Sequence, residues 1–432
     1  MRRRLRPRLG ALIAAVAATA AVLVPTTASS ASAPPGDPRA VRHGLHSAPK
    51  TPVMDGKRLL QARTRLALGD PTLRDEVTSL TAQADAWLGK GPWTVTDKPI
   101  PAASGDIHDY LSQAPYFWAT QPRTPENPRG CPYEERDGQR NPEAEIGTDR
   151  VDAGNVLKSV PLLTLAWYYT GKKEYAEHAS RILRTWFVDP ATRMNPHLNY
   201  AQGIPCKNDG RSIGIIDFAQ YYTGNLDAMA ILDTGAPGWT KSDRAGMRAW
   251  NEAYLDWLVN SEFGKKESAA TNNHGTYAAM QIAGLAVATG DRELARETVR
   301  EQGAKLIDFQ ITADGGQPRE LARTRSWHYS NYNLAAFCRL AAIGKQVGVN
   351  LWSHQGPQGQ SLFDAIGYLL PTATGEATWP HPELEFYRYA ASDMVHAAAD
   401  AGDRAAKAAL PKLQAPPGGD LWELRPAAQH AV

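Results

Sequence analysis

The sequence predicts an all-α protein, an α/α toroid in which an incomplete barrel of helical hairpins carries long functional loops. Three observations lead there: apolar residues recur at intervals of three and four through segment after segment, one helical hairpin pattern occurs twice, and no convincing alternating strand interrupts them. The helical stretches are "VLKSVPLLTLAWYYTG", "EYAEHASRILRTWF", "IIDFAQYYTGNLDAMAIL", "AGMRAWNEAYLDWLVN", "YAAMQIAGLAVATG", "ELARETVREQGAKLIDFQ" and "YNLAAFCRLAAIGKQ". The repeat pairs "LAWYYTGKKEYAEHA" from Leu165 with "GLAVATGDRELARET" from Gly284. In each, the glycine after threonine is expected to stop one helix as its C′ residue, with the next helix starting after a tight turn. Hairpins that cannot bury their inner faces alone stack into a solenoid or close into a ring.

The ends read differently. Arg2, Arg3, Arg4, Arg6 and Arg8 precede an apolar run over residues 9–24, and Ala31-Ser32-Ala33 offers a cleavage site, so residues 1–33 are expected to be a signal peptide. The protein is accordingly expected to be secreted or periplasmic after cleavage near Ala33. Residues 34–55 are expected to form a flexible lead-in, 56–413 a single toroid domain, and 414–432 a frayed C-terminal tail. No later stretch has the length of an apolar membrane span, so no membrane partner is expected.

Losing the signal removes five Arg and no acid, which takes the formal charge from +2 to +2 − 5 = −3. Nucleic acid is not an expected partner, since no basic excess remains. An anionic ligand would need a local cluster of cations against a weakly repulsive overall field. The three cysteines are too few for a disulfide scaffold. Cys131 and Cys206 lie in polar loops and are expected to form a bridge; Cys338 lies on an apolar helical face and is expected to be a buried thiol.

Four segments carry chemistry. In "ATNNHGTYAAM", one asparagine suffices to cap the helix that follows, so Asn273 and His274 are left with polar groups that capping does not need. "ELARTRSWHYSNYNL" supplies Arg323, Arg325, Trp327, His328 and Tyr329: a charged fork suited to a carboxylate beside a phenol whose acidity a nearby cation can raise. "APYFWATQPRTPENPRGCPYEERDGQRNPE" offers Tyr116, Phe117 and Trp118 as a stacking platform for sugar rings, and "NPHLNYAQGIPCKNDGRSIGIIDF" adds His197, Tyr200, Gln202 and Arg211. Each also has a purely structural account as a loop packed under aromatic side chains.

Gly210-Arg211-Ser212-Ile213-Gly214 matches a nucleophile-elbow pattern, but that motif needs a preceding strand, and here a polar loop precedes; Ser212 is expected to cap a helix beginning near Ile213. No H-E-x-x-H, paired-cysteine or EF-hand spacing is present, so neither a metal nor a cofactor is expected.

Taken together and in order, "APYFWATQP", "YEERDGQRNPE", "NPHLNYAQGIP", "TNNHGTY" and "ELARTRSWHYSNYNL" resemble the alginate-lyase superfamily of polysaccharide lyases. The resemblance runs from about Tyr110 to Tyr389 and implies a helical toroid that cleaves an acidic polysaccharide, a β-1,4-linked uronate polymer, by β-elimination; the protein is expected to be a monomer. It places catalytic roles on Asn273, His274, Arg323 and Tyr329; Tyr116, Trp118, Tyr200, Gln202, Arg211, Arg325, Trp327 and His328, from the segments above, are expected to contact substrate. Arg323 precedes Tyr329 by six positions, one fewer than in the type pattern, and Arg325 by four, so the choice between the two arginines stays open. The departure suggests a sister branch, so that the expected substrate is alginate or polymannuronate, or glucuronan in their place. Two readings compete: a hydrolase using two carboxylates, Asp217 or Glu320 among them, and a non-catalytic glycan-binding protein using Tyr116, Phe117 and Trp118.

Overall fold

Every strongly periodic segment is a helix in the computed structural model, which describes residues 47–430. The helices are α1 (Gly56–Ala67), α2 (Pro71–Leu88), α3 (Arg150–Thr170), α4 (Lys173–Leu183), α5 (Ile216–Leu232), α6 (Lys241–Asn260), α7 (Glu262–Ser268) and α8 (Asn273–Thr289). After them come α9 (Arg292–Glu297), α10 (Ala304–Gln310), α11 (Pro318–Leu321), α12 (Ser326–Val347), α13 (Leu362–Ala373), α14 (Ser392–Asp400) and α15 (Arg404–Ala409). The hairpin repeat is built as its glycines require: α3 ends at Gly171 with φ 73° and α8 at Gly290 with φ 96°, both left-handed.

The toroid has an inner and an outer layer. Helix α3 packs on α5, α5 on α8 and α8 on α12, while α2 and α4 cover α3, α6 covers α8, and α14 covers α12. The inner helices are apolar on almost every side because neighbours surround them; in α8, every residue from Gly275 to Ala286 is buried. The outer helices keep one apolar stripe, as in α4, where Tyr175, Ala176, Ala179, Ile182 and Leu183 turn inward.

The long loops hold short strands that the sequence reading missed: β1 (Leu111–Gln113), β2 (Phe117–Ala119), β3 (Tyr133–Glu135) and β4 (Tyr200–Gly203). Strand β1 pairs in parallel with β4, and β2 antiparallel with β3. Three or four residues are too few to display an alternating pattern. The expected Cys131–Cys206 disulfide joins the two loops, and Cys338 is buried and free.

Two expectations about the ends are corrected. The signal peptide and most of the lead-in lie outside the described residues, but residues 47–55 are docked: Asp227, fully buried on α5, accepts the amides of Val53 at 2.8 Å and Met54 at 3.2 Å. The tail is packed as well. Leu424, Ala427, Ala428 and His430 are buried, Arg339 donates to the Ala428 carbonyl at 2.9 Å, and the Gln429 amide bonds Asp393 at 2.8 Å. Its many prolines and glycines suggest fraying, yet a backbone whose polar groups find buried partners is held in place. Among the described residues no helix is long and apolar enough to cross a membrane.

Candidate active site

Four inner helices begin at one cleft of about 850 Å³. Arg150 opens α3, Asp217 lies in the first turn of α5, Asn273 and His274 open α8, and His328 and Tyr329 lie in the first turns of α12; all six line the cleft. Helix N-termini carry a partial positive charge and unsatisfied amides, so their convergence favours an anion. The loops complete the walls with Tyr116, Phe117, Arg140, Gln202, Arg211 and Arg323. Arg140, Arg150, Lys158, Arg211 and Arg323 face Glu135, Asp137, Glu145 and Asp217. Two of these acids are spent in ion pairs, Asp217 with Arg150 at 2.8 Å and Asp137 with Arg323 at 2.5 Å. Five cations against four acids leave a local excess of one positive charge, to which the helix N-termini add, in a protein without a basic excess.

The N-terminus of α8 is shaped by both asparagines. Asn272 is the N-cap, its side chain accepting the His274 amide at 3.3 Å, as the sequence suggested. Asn273 is 1% exposed, and both its backbone N–H and its Nδ2 donate to Glu320 at 2.8 Å. That leaves the second amide hydrogen and Oδ1 of Asn273 available. The His274 Nδ1 lies 2.5 Å from Glu267, whose side chain is 2% exposed. A carboxylate only accepts, so Nδ1 carries the hydrogen and Nε2 is free to act in the cleft. Gly275 completes the motif, since a Cβ there would come within 2.0 Å of the Ala270 carbonyl oxygen.

Tyr329 and Arg323 meet as the spacing implied. The Arg323 Cζ lies 3.7 Å from the centroid of the Tyr329 ring, and the Tyr329 hydroxyl is 2.7 Å from that of Tyr116. Burial, with Tyr116 beside it, pushes Tyr329 up; Arg323 lowers its proton affinity as expected but offsets only part of this. At rest Tyr329 is a phenol.

The two arginines are placed differently. Arg323 lines the cleft, whereas Arg325 is 8% exposed and faces Glu383 at 3.8 Å and Glu385 at 3.3 Å, away from it. Trp327 likewise turns outward, buried against Trp379 with its indole N–H on the Tyr387 carbonyl. Successive side chains in β2 point to opposite faces. Phe117 therefore lines the cleft under Arg211, 5.0 Å from its ring, while Trp118 is directed to the Gln139 carbonyl beneath Arg136. Tyr200 lies beside His197 and outside the cleft. Arg325, Trp327, Trp118 and Tyr200 thus do not line the cleft, where Tyr116 and Phe117 stand without Trp118.

Gln202, Arg211, Tyr116 and His328 do reach the cleft. Gln202 gets there by a left-handed backbone, φ 51°, uncommon outside glycine and typical of functional sites. Its Nε2 donates to Asp217 at 2.8 Å, and Arg211 donates to its carbonyl at 2.9 Å. Ser212 begins a 3₁₀ turn, Ser212–Ile215, without making the expected cap bond.

Arg150, Lys158, Arg140 and Asp137 were missed as site residues. Arg150, Gly154 and Lys158 are spaced by four in "RVDAGNVLK", a legible helical face; nothing local marks Asp137, whose partner is 186 positions away. Asp217 accepts from Ser112 at 2.6 Å and Tyr110 at 3.1 Å in addition to Gln202 and Arg150. It and Glu320, the carboxylates named for a hydrolase, are therefore committed to holding other residues. Asp217→Ala is expected to destabilise the protein by about 3 kcal/mol, measured by urea unfolding, because it strands the Arg150 charge.

The sequence profile of the alginate lyase family matches residues 94–379. An alginate lyase of Pseudomonas fluorescens is 35% identical over 106 residues, 24% of this chain and 28% of that protein. One of Cobetia marina is 35% identical over 121 residues, 28% of this chain and 32% of that protein. The chain spans about a third or less of the length of these curated relatives. The crystal structure of an alginate lyase from Bacteroides ovatus is similar with a TM-score of 0.81 at 32% identity, covering 88% of this chain and 99% of that one. Alginate lyase A1-III of Sphingomonas species A1, at 16% identity and a TM-score of 0.51 over 89% of this chain and 99% of that one, shares the fold. With the profile matched over more than half its length, and with the toroid and its cleft in place, the chain belongs to the alginate lyase family.

Proposed function

We propose that the protein is a secreted polysaccharide lyase that cleaves β-1,4-linked uronate polymers by β-elimination, leaving a 4,5-unsaturated uronate at the new end. The observation that carries this reading is the convergence of Asn273, His274, Arg323 and Tyr329 in a cleft onto which four helix N-termini open. The relatives named above are alginate lyases, which supports the same chemistry.

The C5 proton of a uronate is very weakly acidic, because its removal puts a second negative charge beside the carboxylate. Donors aimed at that carboxylate are the first requirement, and Asn273 and Arg323 supply them; one preorganised donor of this kind contributes about 3 kcal/mol to the transition state. Mannuronate and glucuronate differ at C2 and share their C4 and C5 configurations, so the C5 hydrogen and O4 lie on the same side. Tyr329 serves both ends of such a reaction: as phenolate it takes the C5 proton, and as phenol it returns a proton to the leaving O4. Guluronate, the C5 epimer, presents that hydrogen on the opposite face, where His274 Nε2 is the base.

Substrate follows from that stereochemistry: polymannuronate and glucuronan before polyguluronate. Incubation with each polymer is expected to give absorbance of unsaturated uronate on the first two. No such absorbance with any acidic glycan would overturn the lyase reading, and reducing ends without unsaturation would establish a hydrolase instead.

A further inference from the structure

We propose that His430, in the C-terminal segment, is a positioning residue of the cleft: it donates from Nε2 to His328 Nδ1 and so fixes His328 as the Nε2–H tautomer, a neutral donor directed at the substrate. The inference rests on the cleft being the uronate site.

The two imidazoles approach to 2.9 Å between His430 Nε2 and His328 Nδ1, with centroids 4.4 Å apart and planes at 75°. His430 is 7% exposed, and its Nδ1 is buried with no hydrogen-bond partner among the described residues. Burial pushes His430 down to about 3, and burial together with His430, Arg325, Arg140 and Arg323 pushes His328 down as well, so both rings are neutral at ordinary pH. Glu383, which accepts the His328 amide at 3.0 Å, is the acid facing that turn, and Arg325 is paired with it.

A neutral imidazole has one N–H and one lone pair, so one ring must donate and the other accept. Were His328 Nδ1 the donor, His430 would carry its own hydrogen on Nδ1, a buried N–H without an acceptor. Orphaned buried donors are rarer than orphaned acceptors, which assigns the shared hydrogen to His430 Nε2. His328 then bears its hydrogen on Nε2. That atom makes no hydrogen bond within the described residues, and the ring lines the cleft, stacked on Tyr332 at 9° and edge-on to Tyr329 at 4.9 Å.

The tail is anchored where this requires. Tyr169 donates to the Leu424 carbonyl at 2.9 Å, Arg425 pairs with Asp393 at 3.1 Å, and the Arg339 and Asp393 contacts to Ala428 and Gln429 immediately precede His430.

Long-range ¹H–¹⁵N spectra of the full-length ¹⁵N-labelled protein report which ring nitrogen holds each hydrogen. Wild type is expected to show His328 as Nε2–H. In His430→Ala the His328 signals should shift to mixed tautomers, and kcat/KM on polymannuronate should fall about 10-fold, mostly through KM, as for loss of one oriented hydrogen bond. The His430→Gln amide can still donate to Nδ1; it should keep the Nε2–H signal and recover activity to within about threefold of wild type. An Nδ1–H tautomer in wild type, an unchanged tautomer in His430→Ala, or equal losses in both variants accompanied by lowered melting would each overturn the proposal. If wild type converts no uronate polymer, the lyase reading falls, while the spectra still decide the tautomer.

Discussion

Tyr329→Phe is expected to lower kcat on polymannuronate or glucuronan by about 10³-fold with the melting temperature nearly unchanged. The hydroxyl touches only Tyr116 among the described residues, and the ring, which Phe retains, supplies the packing and the face beneath Arg323. A structural role would show the reverse pattern, with stability lost and turnover kept. The pH dependence follows from the raised proton affinity of the phenol. Well below its midpoint, the phenolate fraction grows tenfold with each pH unit. For a phenolate base, kcat/KM should therefore climb with a slope near one between about pH 7 and about pH 9. That slope should vanish in Tyr329→Phe. A flat wild-type profile would remove the phenolate from the mechanism and leave His274 as the base.

What the sequence disclosed, and what it did not, follows from the range of the forces involved. Helices such as α8 and α12 are legible because their apolar period is written over about five and about six turns, and the start of α8 because Asn272 is an N-cap within three residues of its target. The grouping of Asn273, His274, Arg323 and Tyr329 was legible as a set of chemical types that make sense only together. The direction in which a loop side chain points was not. Trp118 is separated from Phe117 by one position and a strand's alternation, and Arg325 from Arg323 by two positions and a bridge to Glu383, a residue 58 positions on. The tail failed for the same reason: its polar backbone is satisfied by Arg339 and Asp393, partners that no window around residue 428 contains.

Asn273→Ala tests the other half of the site and separates catalysis from stability. It removes a donor to the developing charge, so kcat should fall by about 10²-fold to 10³-fold. It also strips Glu320, a carboxyl that is 2% exposed, of the Nδ2 hydrogen bond while the backbone N–H bond stays, and a stability loss of about 2 kcal/mol is expected in urea unfolding at neutral pH. The sign of its pH dependence is fixed by Glu320. Burial already pushes that carboxyl above its ordinary range, with the two Asn273 bonds opposing, so loss of the side-chain one raises it further. A raised carboxyl favours the folded state when protonated, so the deficit of Asn273→Ala should shrink as pH falls into the range where Glu320 takes up its proton. Adding Glu320→Gln removes the stranded charge at every pH. The double variant should regain most of the stability while kcat stays low, because the amide that faces the uronate is still missing. Recovery of activity with stability would show instead that Asn273 serves only to hold Glu320, and the carboxylate-binding role would pass to Arg323 alone.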